Sequence, residues 1–206
     1  RHRHRPAAGD LAAMANVLVI NGHPDADPRR LNAALARSCG DGARAGGHAV
    51  RTLDLGRLDF PLVASRQAFE STPPPEVIVQ AQEAIVWARH IILVFPLWLG
   101  GPPALVKAFL EQTFRYGFAL AKPGSPKGGG LLGGRSVRII VTMGMPAFLY
   151  RLAFGAFGVR AIERGVFRLA GMGPVRHTLL GGVETATDAV RAGWLDNVRR
   201  LAAVPA

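Results

Sequence analysis

The stretch at residues 91–111, IILVFPLWLGGPPALVKAFLE, constrains this chain more than any other. The apolar run that ends at Pro96 is too uniform for a strand with one wet face. It reads as a strand buried on both faces, near the middle of a parallel sheet. A Pro/Gly/Trp loop follows and leads without pause into an amphipathic helix. In open parallel sheets wrapped by helices, crevices form outside the carboxyl ends of the strands, where the winding direction reverses. Pro96, Leu97, Trp98 and Leu99 fall at that place, and Trp98 with Leu99 can cover a flat apolar ring. Taken alone, Trp98 fits equally well as a hydrophobic plug between strand and helix.

The alternation of strand and helix continues along the chain. Residues 16–21 (NVLVIN) read as a first buried strand, residues 31–45 as a helix stopped by Gly46 and Gly47, and residues 48–53 as a second strand. Residues 56–75 form a long Pro-rich surface excursion. Helical spacing of Val77, Ile78, Ala81, Ala84, Ile85 and Ala88 predicts a helix over residues 76–88. Residues 136–142 and 175–180 read as the fourth and fifth strands, and residues 187–203 as a closing helix. Such alternation predicts an α/β fold, a parallel sheet with helices on both faces. Five strands predict the flavodoxin-like order 2-1-3-4-5. Residues 14–206 read as one domain, and residues 1–13, RHRHRPAAGDLAA, as a disordered leader outside it.

Composition excludes more than it selects. A single cysteine, Cys39, rules out an intrachain disulfide and suits a reducing, cytoplasmic setting. The longest apolar stretch is interrupted by Pro96, Gly100, Gly101, Pro102, Pro103 and Lys107, so no segment reads as membrane-spanning. The formal charge is +11, and an excess of nine remains once residues 1–13 are set aside. That excess suits an anionic cofactor or an acidic surface. The cations of the full chain are 22 Arg against 3 Lys, scattered among Ala and Gly without interleaved aromatics, so no nucleic-acid partner is expected. The glycine-dense residues 122–134 lack the Gly-Lys-Ser/Thr ending of a phosphate loop and precede a strand instead of following one. They read as a surface loop near the mouth of the crevice. The GxGxxG dinucleotide fingerprint is also missing after the first strand.

Three loops gather at one sheet edge in this reading. After the first strand, His23 and Pro24 turn the chain, Arg29 and Arg30 bring charge, and the helix beginning near Leu31 and Asn32 presents free backbone N–H groups, a setting that favours a phosphate. After the fourth strand, Thr142, Met143, Gly144 and Met145 offer a close backbone approach and amide donors to a carbonyl or ring nitrogen, while Pro146 has no N–H to give. Tyr150 can reach a ring edge; an isolated tyrosine there also fits a packing role.

Together HPDADPRRLN, FPLWLGGPPALVKAFLEQTFRYGFAL and TMGMPAFLY resemble the flavodoxin-like NAD(P)H:quinone oxidoreductases, the family of DT-diaphorase and of the flavin-binding ancillary subunits of bacterial potassium-efflux systems. The resemblance covers nearly all of the chain after Met14, and its middle block is the specific part. It implies a non-covalent flavin, hydride taken from NAD(P)H, and two-electron delivery to a quinone or similar acceptor in the same pocket. It implies that His23, Arg29, Arg30, Leu31 and Asn32 hold the flavin phosphate and ribityl chain. Pro96 to Leu99 would line the isoalloxazine, and Thr142 to Met145 with Tyr150 would meet its polar edge. It also implies a homodimer in which Phe118 and Leu120 reach toward a partner's pocket and contact substrate. Two departures stand out: Arg29 replaces a small hydroxyl residue of the phosphate loop, and no histidine follows Tyr150 before Val175, so the proton-relay role that the resemblance implies there falls to Tyr150, alone or with water, as the candidate catalytic residue. The chain is shorter than DT-diaphorase, which favours FMN over FAD. A second reading, a regulatory flavoprotein docked on a transporter or membrane, draws on Arg160, Arg164 and Arg168, whose spacing places them on one face of a helix.

Overall fold

Five apolar segments form the strands: β1 (Asn16–Asn21), β2 (Ala49–Asp54), β3 (His90–Pro96), β4 (Ser136–Met143) and β5 (Val175–Gly181). In the computed structural model, which describes residues 14–126 and 128–204, they pair in parallel in the order β2-β1-β3-β4-β5. This is the order expected from the alternation of elements. Strand β3 is buried at every position because helices cover both faces of the sheet at its centre. The expectation for residues 1–13 lies outside the described residues.

Successive residues of each strand feed opposite cores. Leu18, Ile20, Leu93, Phe95, Ile139 and Val141 pack with Ile78 and Ile85 of α3 (Glu76–Trp87) and Phe109 of α4 (Ala104–Thr113). Val17, Val19, Ile92, Val94 and Ile140 pack with Leu35 and Cys39 of α1 (Leu31–Ala45) and Val198 of α7 (Asp188–Ala203). Each fully buried large side chain contributes about 1.5–3 kcal/mol. Helix α7 lies so close to α1 that a Cβ on Gly42 would stand 2.0 Å from the Arg199 carbonyl oxygen. A glycine inside a helix therefore serves helix crossing here, at a propensity cost of about 1 kcal/mol.

Three expectations are corrected by the structure. The excursion over residues 56–75 carries a short helix, α2 (Arg66–Glu70), capped by the Ser65 hydroxyl, which accepts from the Ala68 amide at 3.0 Å. It is also tied down, because the buried Arg115 guanidinium donates to the carbonyls of Ala68 and Thr72 and Gln112 Nε2 donates to the Pro61 carbonyl at 2.6 Å. Of the glycine-dense loop, the described residues 122–126 and 128–134 do not lie at the crevice mouth. They enter the amino end of β4, where Leu132 N donates to the Ala170 carbonyl and Ser136 N to that of Arg89, at the edge opposite the crevice. The third correction concerns the basic stripe. Short helices α5 (Ala147–Leu152) and α6 (Phe157–Ile162) run into a π-helical segment, Glu163–Arg168, whose wider turn breaks the four-residue register assumed for Arg160, Arg164 and Arg168. Arg168 is also paired with Glu163 at 2.6 Å, and the same carboxylate lies 3.0 Å from His177 Nε2.

Among the described residues no helix is long and apolar enough to cross a membrane. Cys39 is buried, and that burial pushes its thiol up to about 12.

Candidate functional site

Parallel pairing brings the carboxyl ends of β1, β3, β4 and β5 to one edge, and the loops that leave them are fastened to each other. Pro96 pairs with Thr142 across β3 and β4. One residue further, Leu97 N donates to the Thr142 carbonyl at 2.7 Å. The Thr142 hydroxyl donates to Asn32 Oδ1 at 2.9 Å, joining β4 to the first turn of α1. His23 meets Trp98 edge to face, with ring centroids 6.0 Å apart. His23 and Trp98 therefore stand side by side, and Gly144 leaves β4 two residues beyond the Thr142 carbonyl that Leu97 meets, at the same sheet edge.

The first loop holds its shape through side chains that accept from amides two residues on. His23 Nδ1 accepts from Asp25 N at 3.0 Å, Asp25 Oδ1 from Asp27 N at 2.9 Å, and Asp27 Oδ1 from Arg29 N at 2.9 Å. The same carboxylates change the role expected of the arginines. Arg29 pairs with Asp27 at 2.7 Å and Arg30 pairs with Asp25, so the charge expected to be free for a phosphate is already neutralised. The Asp27 amide and the Arg30 guanidinium hold the Asp25 carboxyl below the usual carboxylate range, and Arg29 does the same for Asp27. What remains for an anion is backbone. No side chain caps α1, and the amides of Leu31, Asn32 and Ala33 donate to no protein acceptor among the described residues.

Asn32 and Thr142 are buried, and their mutual bond consumes the Thr142 hydroxyl expected to meet a ring. Asn32 Nδ2 is buried and has no partner among the described residues. An orphaned donor of this kind is costly unless something accepts from it. Leu31 packs against the core beneath α1. Met143 is a buried strand residue, 3 % exposed, and its carbonyl accepts from Val183 N. Of the expected β4 donors, this leaves the amides of Gly144 and Met145, which meet no protein acceptor among the described residues.

The Trp98 loop is a two-residue hairpin. Trp98 N and Gly101 O, and Gly101 N and Trp98 O, bond at 2.9 and 3.0 Å, while Leu99 and Gly100 take φ of +48° and +81°. Both central residues thus have the left-handed backbone of a type I′ turn, which favours Asn or Gly. A leucine there costs about 1–2 kcal/mol. Trp98 is half exposed and its indole stands beside the crevice; Leu99 is fully exposed.

Tyr150 is corrected from a ring-edge ligand to a brace. It is 1 % exposed, and its hydroxyl donates to the Gly100 carbonyl at 3.0 Å, beneath the hairpin. Burial raises the phenol above its ordinary pKa and keeps it neutral. Phe118 and Leu120 also lie elsewhere in the chain's own structure. Phe118 sits in an open groove against Val79, Val86 and Trp87 of α3, and Leu120 bridges Tyr116 and Gly130.

A fourth loop, after β5, was missed by sequence reasoning. Glu184 Oε1 would lie 3.0 Å from a Cβ on Gly144, so a carboxylate flanks Gly144. No motif marks it. The signal was topological, since β5 borders β4 and its loop must open at the same edge.

These residues fit a phosphate-tailed planar guest. Three free first-turn amides suit the phosphate, the orphaned Asn32 Nδ2 suits an oxygen of the tail, and the exposed Trp98 face with the Gly144 and Met145 amides suits a polar-edged ring. Comparison with known proteins gives the family and the fold. A sequence profile of the flavodoxin-like fold matches residues 15–202, and the chain belongs to that family. It is 28% identical over 189 residues, 88% of this chain and 91% of its relative, to a protein of Haemophilus influenzae described as an uncharacterized NAD(P)H oxidoreductase. The fold is shared with an NAD(P)H:quinone oxidoreductase of Methanothermobacter marburgensis, at a TM-score of 0.79 and 21% identity over 93% of this chain and 96% of that one. It is shared also with an FMN-dependent NADH-azoreductase of Bacillus anthracis in complex with FMN, at a TM-score of 0.73 and 15% identity over 92% and 98% of the two chains.

Proposed function

We propose that this protein is a flavin-dependent NAD(P)H oxidoreductase that binds FMN and passes two electrons, by hydride transfer, to a quinone or similar flat acceptor, donor and acceptor occupying one slot in turn. The observation that carries this reading is the fastening of the three loops through Leu97, Thr142 and Asn32, which leaves backbone N–H groups at both ends of the crevice with no protein acceptor among the described residues.

FMN, when bound, supplies the hydride chemistry. The chain supplies the rest. Leu31, Asn32 and Ala33 bind the phosphate through backbone N–H groups, which the helix dipole favours by about 0.3–1 kcal/mol. Arg29 and Arg30 hold the loop through Asp27 and Asp25 and screen the phosphate from those carboxylates. Trp98 borders the stacking slot and excludes water from one side of it. The Gly144 and Met145 amides orient the polar edge of the ring and stabilise negative charge there. Tyr150 positions the hairpin and is not a proton donor in this reading. Phe118 and Leu120 enter only through a partner's crevice, in the homodimer that the resemblance implies.

An absorbance spectrum of the purified protein, followed by anaerobic NADH and NADPH additions and a quinone chase, tests the proposal. A yellow protein that bleaches with a nicotinamide donor and recolours with quinone supports it. Failure of the reconstituted protein to retain FMN or FAD at micromolar concentration, or of the loaded protein to bleach, overturns it.

A further inference from the structure

The loop after β5 brings an unpaired carboxylate to the edge where β4 ends. A Cβ on Gly144 would meet Glu184 Oε1 at 3.0 Å, Cδ at 3.3 Å and Oε2 at 3.7 Å, so the carboxylate occupies the seat that a side chain at residue 144 would take. Glu184 pairs with no cation and accepts no hydrogen bond among the described residues. Its backbone, by contrast, is held. Gly182 N donates to the Met145 carbonyl at 3.1 Å and Val183 N to that of Met143 at 3.2 Å, and Thr185 N closes a turn on the Gly182 carbonyl at 3.2 Å. A Cβ on Gly181 would stand 2.3 Å from Ala147 N, so the two loops press together with no room for a side chain between them. Glu184 is thus carried on a turn fixed to the same segment that offers the Gly144 and Met145 amides.

From this placement we propose that Glu184 is a specificity residue for the ring guest, its carboxylate accepting the one N–H that the ring presents between two carbonyls. The inference rests on the flavin reading. The pyrimidine edge of an isoalloxazine runs C2=O, N3–H, C4=O, which is acceptor, donor, acceptor. Backbone N–H groups can answer only the carbonyls. The Gly144 and Met145 amides, which meet no protein acceptor among the described residues, suit those. A carboxylate accepts and does not donate, so Glu184 suits the N–H between them. A site built to bond an N–H rejects an analogue that lacks it, because the acceptor is then left without its partner. The carboxylate has an electrostatic effect as well. Reduction adds negative charge to this edge of the ring, and Glu184 opposes the charge that the amides stabilise.

Affinities of the full chain for FMN and for 3-methyl-FMN, which keeps both carbonyls and loses the N–H, test the proposal by quenching of flavin fluorescence, with circular dichroism verifying each fold. The parent should prefer FMN. Glu184→Ala should reduce that preference about tenfold, the low end for a hydrogen bond to a charged group because Glu184 is exposed. Comparing the preference between parent and variant removes the bulk of the methyl group, which both proteins meet alike. Glu184→Gln keeps an acceptor oxygen without the charge. Its preference should stay within about threefold of the parent's, while the midpoint potential of the bound flavin rises by about 20 mV, a fivefold gain for the reduced form. A preference unchanged in Glu184→Ala overturns the proposal and leaves the flavin reading standing, as does a potential in Glu184→Gln at or below the parent's. A parent that binds neither flavin overturns the flavin reading and takes this proposal with it.

Discussion

Replacing Tyr150 by phenylalanine separates a brace from a proton donor. The Tyr150 hydroxyl donates to the Gly100 carbonyl at 3.0 Å and faces the backbone N–H groups of Gly158 and Val159, and the ring stacks on Phe154 with centroids 6.5 Å apart. Tyr150→Phe keeps the ring and deletes the bond. A neutral hydrogen bond contributes about 0.5–1.5 kcal/mol net, and the half-buried Gly100 carbonyl recovers part of the loss from water. About 1 kcal/mol is therefore expected, a fall in Tm of about 2–4 °C for a chain of this size. Because the bond holds the hairpin that carries Trp98, FMN affinity should weaken by no more than about fivefold, which is what 1 kcal/mol amounts to. The rate of flavin reduction by NADH, followed by stopped flow at saturating FMN, should stay within about threefold of the parent. Loss of a positioned general acid instead costs about 10²–10⁴ in rate. A hundredfold slower reduction with unchanged Tm would refute the brace and restore the role first read from the sequence.

Three further outcomes follow from buried or strained groups. Arg138 in β4 is 7% exposed, lacks a carboxylate partner among the described residues, and donates only to the Thr178 hydroxyl at 3.3 Å, so Arg138→Met should raise stability by about 1–3 kcal/mol in urea titrations; a loss of stability would show that the cation is satisfied. Burial, aided by Arg138 and His48, pushes the His90 imidazole down to about 4 from its ordinary 6.5. The unfolded chain then binds the extra proton first, so the stability His90 contributes is complete above pH 6.5 and falls as pH drops toward 4, by about 3 kcal/mol in all; His90→Asn should flatten that part of the stability–pH curve, and an unchanged curve would refute it. Leu99→Asn should add about 1 kcal/mol by relieving the left-handed strain, read as a higher Tm; a lower Tm would mean that the leucine packs in solution.

Strand order, helix bounds and the meeting of the loops were legible because period and burial are local signals. Residues 91–96 carry an apolar run, and the residues that β3 buries are the ones that run contains. Side-chain partnership is a different kind of information. Asp25 and Asp27 sit in the sequence beside Arg29 and Arg30, yet nothing in their spacing says whether the arginines face each other's carboxylates or a guest. Tyr150 was misread for a similar reason. Its partner, the Gly100 carbonyl, lies on another loop and is backbone, so no residue type advertises it. The π-helical turn at Glu163–Arg168 likewise left no trace in a pattern read at 3.6 residues per turn.

These misreadings share a direction, and the direction says how the crevice works. Where the sequence suggested side-chain ligands, the structure finds those side chains occupied in holding the loops: Thr142 on Asn32, Tyr150 on Gly100, Arg29 and Arg30 on Asp27 and Asp25. Backbone N–H groups of Leu31 to Ala33 and of Gly144 and Met145 are what remain, with the single orphaned side-chain donor of Asn32. A site built this way is rigid before a guest arrives, so less binding energy is lost to ordering side chains. It also tolerates change at its rim. Arg29, whose side chain is 88% exposed and paired with Asp27, stands where the resemblance leads one to expect a hydroxyl residue, and its pairing shows how a long cation is accommodated there.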